Sequence, residues 1–424
     1  MAITLNFESI RNRIDQSRLQ SDLETLAQFT EKVPEYTRKA FSPLYKEARI
    51  WLAERMRKAG LEVRVDEASN LIGKLGSGKT EMPTLILGSH IDTVEAGGRF
   101  DGIVGVIAAL EVARVLNEEG VELSHPLEII DFTCEEPTIP GLTPLGSRIM
   151  AGELQAKDVK GIKTPFGQLL TSAINDLGGD GSRIEYAKRD PGSVKAYLEL
   201  HIEQGPVLER AGVPIGIVTD IAARCSCLIT LTGQADHAGA TLMPERKDAL
   251  AGAAEVILEL EEIVSKPELN EETVGTVGWV QVAPNMVNII PGQVNLRADV
   301  RSTDKQMLDQ VRQRLQGAVE ATANRRRLEY HLVWEDLEEP VRIPKGIQSK
   351  IAVACEKLGF PHVFLPSRAT HDAARISTIT PSGMIFIPCK DGKSHVPEEW
   401  AEMDDITQGT QVMLYALLDL DKSS

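Results

Sequence analysis

Short runs of consecutive apolar residues alternate with longer stretches of helical periodicity along most of the chain. Pro83–Gly88 (PTLILG), Leu127–Thr133 (LEIIDFT), Ala196–Leu200 (AYLEL) and Met384–Pro388 (MIFIP) are too short for helices and read as buried strands. Leu44, Ala48, Trp51, Leu52 and Met56 repeat with helical spacing after Ser42-Pro43, an N-cap followed by Pro at the first helical position, and Gly60 can stop that helix. A second helix is predicted over Ile103–Leu116, after a Gly-rich turn. Short apolar strands alternating with helices predict an α/β domain around a mixed, mostly parallel sheet. The middle of the chain differs. Ile215–Thr232, Thr273–Val282, Gln293–Arg301 and Leu328–Trp334 have strand character, while Glu245–Val264 and Thr303–Ala323 are helical. The order βαββαβ is that of a ferredoxin-like unit. It is expected at 213–330, inserted into an α/β domain formed by 1–212 and 331–424.

A length of 424 residues accommodates two such domains, and 42% hydrophobic with 25% charged residues is ordinary globular composition. The net charge of −16 argues against nucleic acid or an anionic membrane as the main partner. No apolar run reaches the ~18–20 residues of a membrane span, and Met1–Asp15 lacks a basic segment followed by an apolar block. The five cysteines, Cys134, Cys225, Cys227, Cys355 and Cys389, are scattered and odd in number, which points to a reducing, cytoplasmic setting. Cys225 and Cys227 alternate with apolar neighbours and read as one face of a strand.

Metal-preferring side chains gather where the strands are expected to end. His90 and Asp92 follow PTLILGS, Asp101 precedes the Ile103 helix, and Glu135-Glu136 follow LEIIDFTC. His201 ends AYLEL, and His395 lies past MIFIP. Singly, each has a plainer reading: a hydrogen-bonded histidine, a helix N-cap, a solvated loop edge. Together they suit one crevice, because open α/β sheets bind ligands beyond the carboxyl ends of their strands. Imidazole and carboxylate donors without thiolate suit Zn, Mn, Co or Ni. Two divalent ions ~3.5–4 Å apart lower the pKa of a water between them and polarise a carbonyl. One of the two glutamates would bind metal while the other handles protons. Asp92 is expected to hold the His90 imidazole by its second nitrogen.

The segments GSHIDTVEAGGRFDGIVGVIAALE, FTCEEP, YLELHIEQGPVLE, GQADHAGAT, PNMVNIIPG and KSHVPEEW carry a resemblance. They are similar to the M20 metallopeptidase/amidase group, and within it to the hydantoinase/carbamoylase subfamily. That subfamily holds N-carbamoyl-L-amino acid amidohydrolases, allantoate amidohydrolases and β-ureidopropionases. The resemblance implies a dinuclear metallohydrolase that cleaves a linear C–N bond in an N-carbamoyl amino acid or similar small amide. It implies that His90 and His201 bind one ion, that Glu136 and His395 bind the other, and that Asp101 bridges them. Glu135 would be the general acid and base, supported by Asp92. The smaller domain would serve as lid and homodimer interface, with His237 reaching the scissile carbonyl. Gln204, Asn288 and Arg301 match substrate-contacting positions, Arg301 as a carboxylate clamp.

Three segments depart from the family pattern. No Arg follows Glu135-Glu136, HAGTTPM is replaced by His237–Pro244 (HAGATLMP), and GAGHD is replaced by Arg368–Asp372 (RATHD). Arg368 and Thr370 thus stand where small residues would let a substrate approach the backbone. Thr370 and His371 are expected to line the pocket. The alternative activities are an N-acyl amino acid deacylase or a dipeptidase. A scaffold without activity is disfavoured by the intact ligand set, and a dinucleotide site by the absence of G-x-G-x-x-G.

Overall fold

A computed structural model describes residues 12–76, 81–266, 268–269 and 272–423. Most of the N-terminal stretch judged free of a leader pattern, residues 1–11, lies outside them. The strands are β1 (Glu62–Val65), β2 (Leu71–Leu75), β3 (Thr84–Ser89), β4 (Leu127–Asp131), β5 (Val194–Ile202), β6 (Ile215–Ile221), β7 (Ala223–Thr232), β8 (Val274–Ala283), β9 (Gln293–Ser302), β10 (Glu329–Leu337), β11 (Val341–Arg342), β12 (His362–Ser367) and β13 (Ser382–Ile387). The chain forms two compact units. One takes in the chain up to Thr219, Ile343–Leu365 and the chain from His371 on; the other takes in Asp220–Arg342 and Pro366–Thr370.

In the first unit the sheet runs β1-β2-β4-β3-β5-β13-β6. Its centre is parallel: β4 and β5 flank β3, and β13 pairs with β5, all in the same direction. The antiparallel strands β1, β2 and β6 lie to either side. Leu85, Leu87, Leu198, Leu200, Ile385 and Ile387 are buried in one apolar cluster, as the unbroken hydrophobic runs require of strands covered on both faces. The helix Ile103–Glu118 is buried from Ile103 through Leu116. It packs on β3, β4 and β5, and the helix Met403–Lys422 packs on β5 and β13. No described helix is long and apolar enough to cross a membrane.

The second unit carries an antiparallel sheet in the order β10-β7-β9-β8. With the helices Ala249–Val264 and Lys305–Arg326 it follows the βαββαβ order. Alternation puts Cys225, Cys227, Ile229 and Leu231 of β7 in one core with Val294, Leu296, Ala298 and Val300 of β9. The two cysteines are buried in that core and belong to no disulfide. The stretch 215–232, strand-like throughout in sequence, is two strands. β6 pairs with β13, Ile217 opposite Ile385, whereas β7 belongs to the other sheet. No Gly or Pro marks the break at Ala222, so periodicity alone does not show it.

Candidate metal centre

The four parallel strands bring their carboxyl ends to one place. His90 is the first residue after β3, His201 lies near the end of β5, and Glu135-Glu136 follow β4 by a short turn. Asp101 arrives on the loop before the Ile103 helix, and His395 on the loop after β13. The approach is close enough to require glycine at one point: Gly102 has φ +67, and a Cβ there would lie 2.3 Å from His90 Nε2.

Asp101 is shared by two ligand groups. Its Oδ1 lies 3.6 Å from His90 Nε2 and 3.4 Å from His201 Nε2. Its Oδ2 lies 3.3 Å from His395 Nε2, which is 3.5 Å from Glu136 Oε1. His90, Asp101 and His201 each offer an atom within 4.8 Å of the others, as do Asp101, Glu136 and His395. The His90 and His201 rings are oriented from behind. Their Nδ1 atoms lie 3.0 Å and 2.9 Å from the carbonyls of Asp92 and Ile202. A carbonyl only accepts, so Nδ1–H donates in both rings, and His201 Nε2 accepts the Gly102 N–H at 3.1 Å.

Acid groups dominate the cluster, and nearly all are buried. Burial, then the Asp101 charge, pushes Glu136 up to about 8. Burial, with Glu136 and Asp372 next, holds Glu135 well above the usual carboxylate range. Burial also raises Asp92 to about 7 and lowers His90 to about 4. Asp101 alone among these carboxyls falls well below its ordinary range, because His201 and His395 outweigh its burial. The hydrogen-bonded Asp101 carboxylate raises His395 to about 9. Glu136 Oε1 is buried without a hydrogen-bond partner among the described residues. Buried carboxylates in excess, one with an orphan oxygen, fit cations and are costly without them. The donor set therefore fits divalent ions, which His90, Asp101 and His201, and Asp101, Glu136 and His395, could hold.

Asp92 differs from the expectation in one respect. The His90 imidazole is hydrogen-bonded to the Asp92 backbone carbonyl at 3.0 Å, with the Asp92 carboxylate farther off at 3.8 Å. The carboxylate instead accepts the backbone N–H groups of Glu135 (3.2 Å) and Glu136 (3.1 Å). It therefore ties down the backbone of the glutamate pair. Gln204 donates through Nε2 to Asp101 Oδ2 at 2.5 Å and leaves Oε1 buried without a partner among the described residues. The His371 ring packs edge-on against His201, centroids 4.6 Å apart. Sequence reasoning passed over Glu199, which accepts from the Ser89 and Tyr197 hydroxyls at 2.7 Å and 3.0 Å. Its position two residues before His201 on one strand face was the available signal. Glu399 was also missed. It is buried, accepts backbone N–H groups of the Asp101 loop, and sits in a stretch with no periodicity to mark it.

His237, Asn288, Arg301 and Thr370 belong to the second unit. His237 and Asn288 lie on adjoining exposed turns: His237 bridges to Ile289, and Ala238 N–H donates to the Asn288 carbonyl at 3.0 Å. His237 Nδ1 accepts from the N–H groups of Gly239 (3.0 Å) and Ala240 (3.2 Å). The ring proton therefore sits on Nε2. Arg301 spends three N–H donors on Asp299 and the Arg368 carbonyl, leaving two. The Arg368 guanidinium is itself paired with Glu272 at 2.9 Å.

The profile of Peptidase family M20/M25/M40 matches residues 86–419. The N-carbamoyl-L-amino acid amidohydrolase of Geobacillus stearothermophilus is 40% identical over 391 residues, covering 91% of this chain and 93% of that protein. The ureidoglycolate hydrolase of Arabidopsis thaliana is 38% identical over 419 residues, covering 96% and 87%. Among solved structures, a hydantoinase/carbamoylase family amidase from Burkholderia multivorans superposes with a TM-score of 0.85 at 34% identity, over 97% of this chain and 99% of that one. A strand-end cluster of this composition, on a chain this similar throughout, leaves one conclusion: the chain belongs to peptidase family M20/M25/M40, in its hydantoinase/carbamoylase branch, and is a metal-dependent hydrolase of C–N bonds other than peptide bonds in linear amides.

Proposed function

We propose that the chain hydrolyses the linear C–N bond of an N-carbamoyl amino acid or a closely similar ureido compound. Two divalent cations (Zn, Mn, Co or Ni) would be bound per subunit. The observation that carries the reading is a pair of ligand triads sharing Asp101, with Glu135 3.7 Å from His90 and a member of neither. When bound, such ions would polarise the scissile carbonyl and lower the pKa of the attacking water. Glu135 takes the proton of the attacking water and passes it to the leaving nitrogen. Asp92 keeps the glutamate pair in place through its two N–H contacts. With a carbamoyl substrate the products are an amine, carbon dioxide and ammonia.

His237 offers Nε2–H to the developing oxyanion, as its Nδ1 is already an acceptor. The free N–H groups of Arg301 take the substrate carboxylate, with Asn288, Thr370, His371 and the unpartnered Gln204 Oε1 as further contacts. Replacing His237 with Ala is expected to cut kcat by ~10²–10³-fold, as for other oxyanion donors. Ion content measured by mass spectrometry should stay unchanged, and its fall would reassign the residue.

The 220–342 unit is read as lid and homodimer interface. Val274, Trp279 and Val280 are exposed on β8, an edge strand, which is where a second copy would add. Five buried cysteines in no disulfide accord with a cytoplasmic setting.

The test is product release by Mn- or Zn-reconstituted enzyme on N-carbamoyl-L-amino acids, N-carbamoyl-β-alanine, allantoate, N-acetyl amino acids and dipeptides. Ammonia release from one ureido class, abolished by EDTA and restored by metal, is the expected result. Turnover of acyl amides or dipeptides with none of the ureido compounds would overturn the substrate assignment.

A further inference from the structure

Glu399 is 1% exposed, on the loop that follows β13, and its carboxylate is directed at the segment carrying Asp101. Oε1 accepts three successive backbone N–H groups, from Arg99 at 2.9 Å, Phe100 at 2.7 Å and Asp101 at 3.1 Å. Oε2 lies 2.9 Å from the Ser394 hydroxyl, and that hydroxyl lies 2.7 Å from Asp101 Oδ2. One hydroxyl hydrogen serves one acceptor at a time, so Ser394 sits between the two carboxylates as a shared donor. The backbone is cleared for this contact. Gly98 has φ +97, and a Cβ there would lie 2.3 Å from Glu399 Cδ.

A second contact joins the same two segments. The Arg99 guanidinium stacks 4.5 Å from the Trp400 ring centroid and 5.4 Å from those of Tyr36 and Phe100. Phe100 meets Trp400 edge-on at 5.6 Å. His395 depends on such support. It lies outside any strand or helix, has φ +60, and keeps 45% of its side chain exposed. Loops of this kind open more readily than the strands beside them.

We propose that Glu399 is a positioning residue: by tying the N–H groups of residues 99–101 to the loop that carries His395, it sets how Asp101 and His395 face each other, and so whether the Asp101–Glu136–His395 triad can hold its ion. The inference rests on reading the cluster as a two-ion site. The bond count makes Glu399 the main tie and Ser394 an auxiliary one.

The experiment is chelator competition with Mn²⁺ or Zn²⁺ on the full chain, with Tm, KM and kcat read alongside. The proteins are wild type, Glu399→Ala, Glu399→Gln, Ser394→Ala and Asp421→Ala. Asp421 is the control. Its carboxylate accepts the N–H groups of Ser124 (2.9 Å) and His125 (2.8 Å), which precede β4 and lie away from the carboxyl ends of the strands. Glu399→Ala should weaken the more loosely held ion by ~10–100-fold, the usual cost of losing a group behind a ligand, with the other ion retained. Glu399→Gln keeps one acceptor oxygen and should recover most of that affinity. Ser394→Ala should lose several-fold, and it carries the test if Glu399→Ala does not fold. Asp421→Ala should lower Tm and move neither ion. Unchanged ion affinity in Glu399→Ala and Ser394→Ala, or equal weakening in Asp421→Ala, overturns the proposal. A wild-type chain that binds fewer than two ions overturns the two-ion reading itself.

Discussion

Glu135→Gln is expected to lose ~10²–10⁴-fold in kcat, the range for a positioned general acid–base, while its ion content and Tm stay close to wild type. The amide occupies the same volume, so packing is preserved. The backbone N–H of residue 135 still donates to Asp92. What disappears is the proton. Burial and the neighbouring carboxyls push Glu135 well above the usual carboxylate range, toward holding its proton. Cations nearby favour the ionised form and draw the value down toward the working range. Gln can neither take nor return a proton. Glu135 Oε2 lies 3.7 Å from His90 Nε2, but Glu135 belongs to neither triad, which is why ion content should survive. Steady-state kinetics with metal analysis on the same preparation checks this. Activity within tenfold of wild type would remove Glu135 from the reaction, and loss of an ion would make it a ligand.

Asp101→Asn should be more damaging and damaging in a different way. Asp101 is the residue common to both triads, with one oxygen turned to each. Asn keeps one oxygen and turns an NH₂ group to the other triad, where it opposes a cation. The charge that holds His395 at about 9 is also removed. Ion content should fall by about half or more. Losing several kcal/mol of charge stabilisation corresponds to ~10³-fold or more in turnover. Titration of the apo variant with Mn²⁺, followed by mass spectrometry, checks the stoichiometry. A variant that still binds two ions as tightly as wild type would show that Asp101 does not bridge.

The parallel core was legible because β3, β4, β5 and β13 are buried along nearly their whole length and are mostly apolar. The strand-end side chains were legible for the same reason: where such a run stops, a His or carboxylate follows. The antiparallel unit was legible from alternation in β7 and β9, but its edge was not, since Ile215–Ile221 continues smoothly into Ala223–Thr232. Contacts made through the backbone were invisible. Nothing in a sequence indicates that the Asp92 carbonyl lies nearer His90 than its carboxylate does, or that Glu399 accepts N–H groups from a loop 300 residues earlier. Those depend on which atoms the loops present, and loops have no periodicity to read. Arg301 and Arg368 show the same limit. Sequence marks them as cations in the right segments, while Asp299 and Glu272 decide how much of each guanidinium is free.

The 300-residue separation between Arg99 and Glu399 also bears on how the chain reaches its native state. During synthesis His90, Asp101, Glu136 and His201 emerge long before β13, and the whole Asp220–Arg342 unit is made in between. β5 exposes a bare parallel edge until β13 pairs with it, residue 382 opposite residue 197. Contacts of such range close late and slowly. The Asp101–Glu136–His395 triad therefore exists only in the finished fold, and an ion there stabilises the native state without aiding the incomplete chain. Cations held at that triad would act as a lock on the completed product rather than a template for folding.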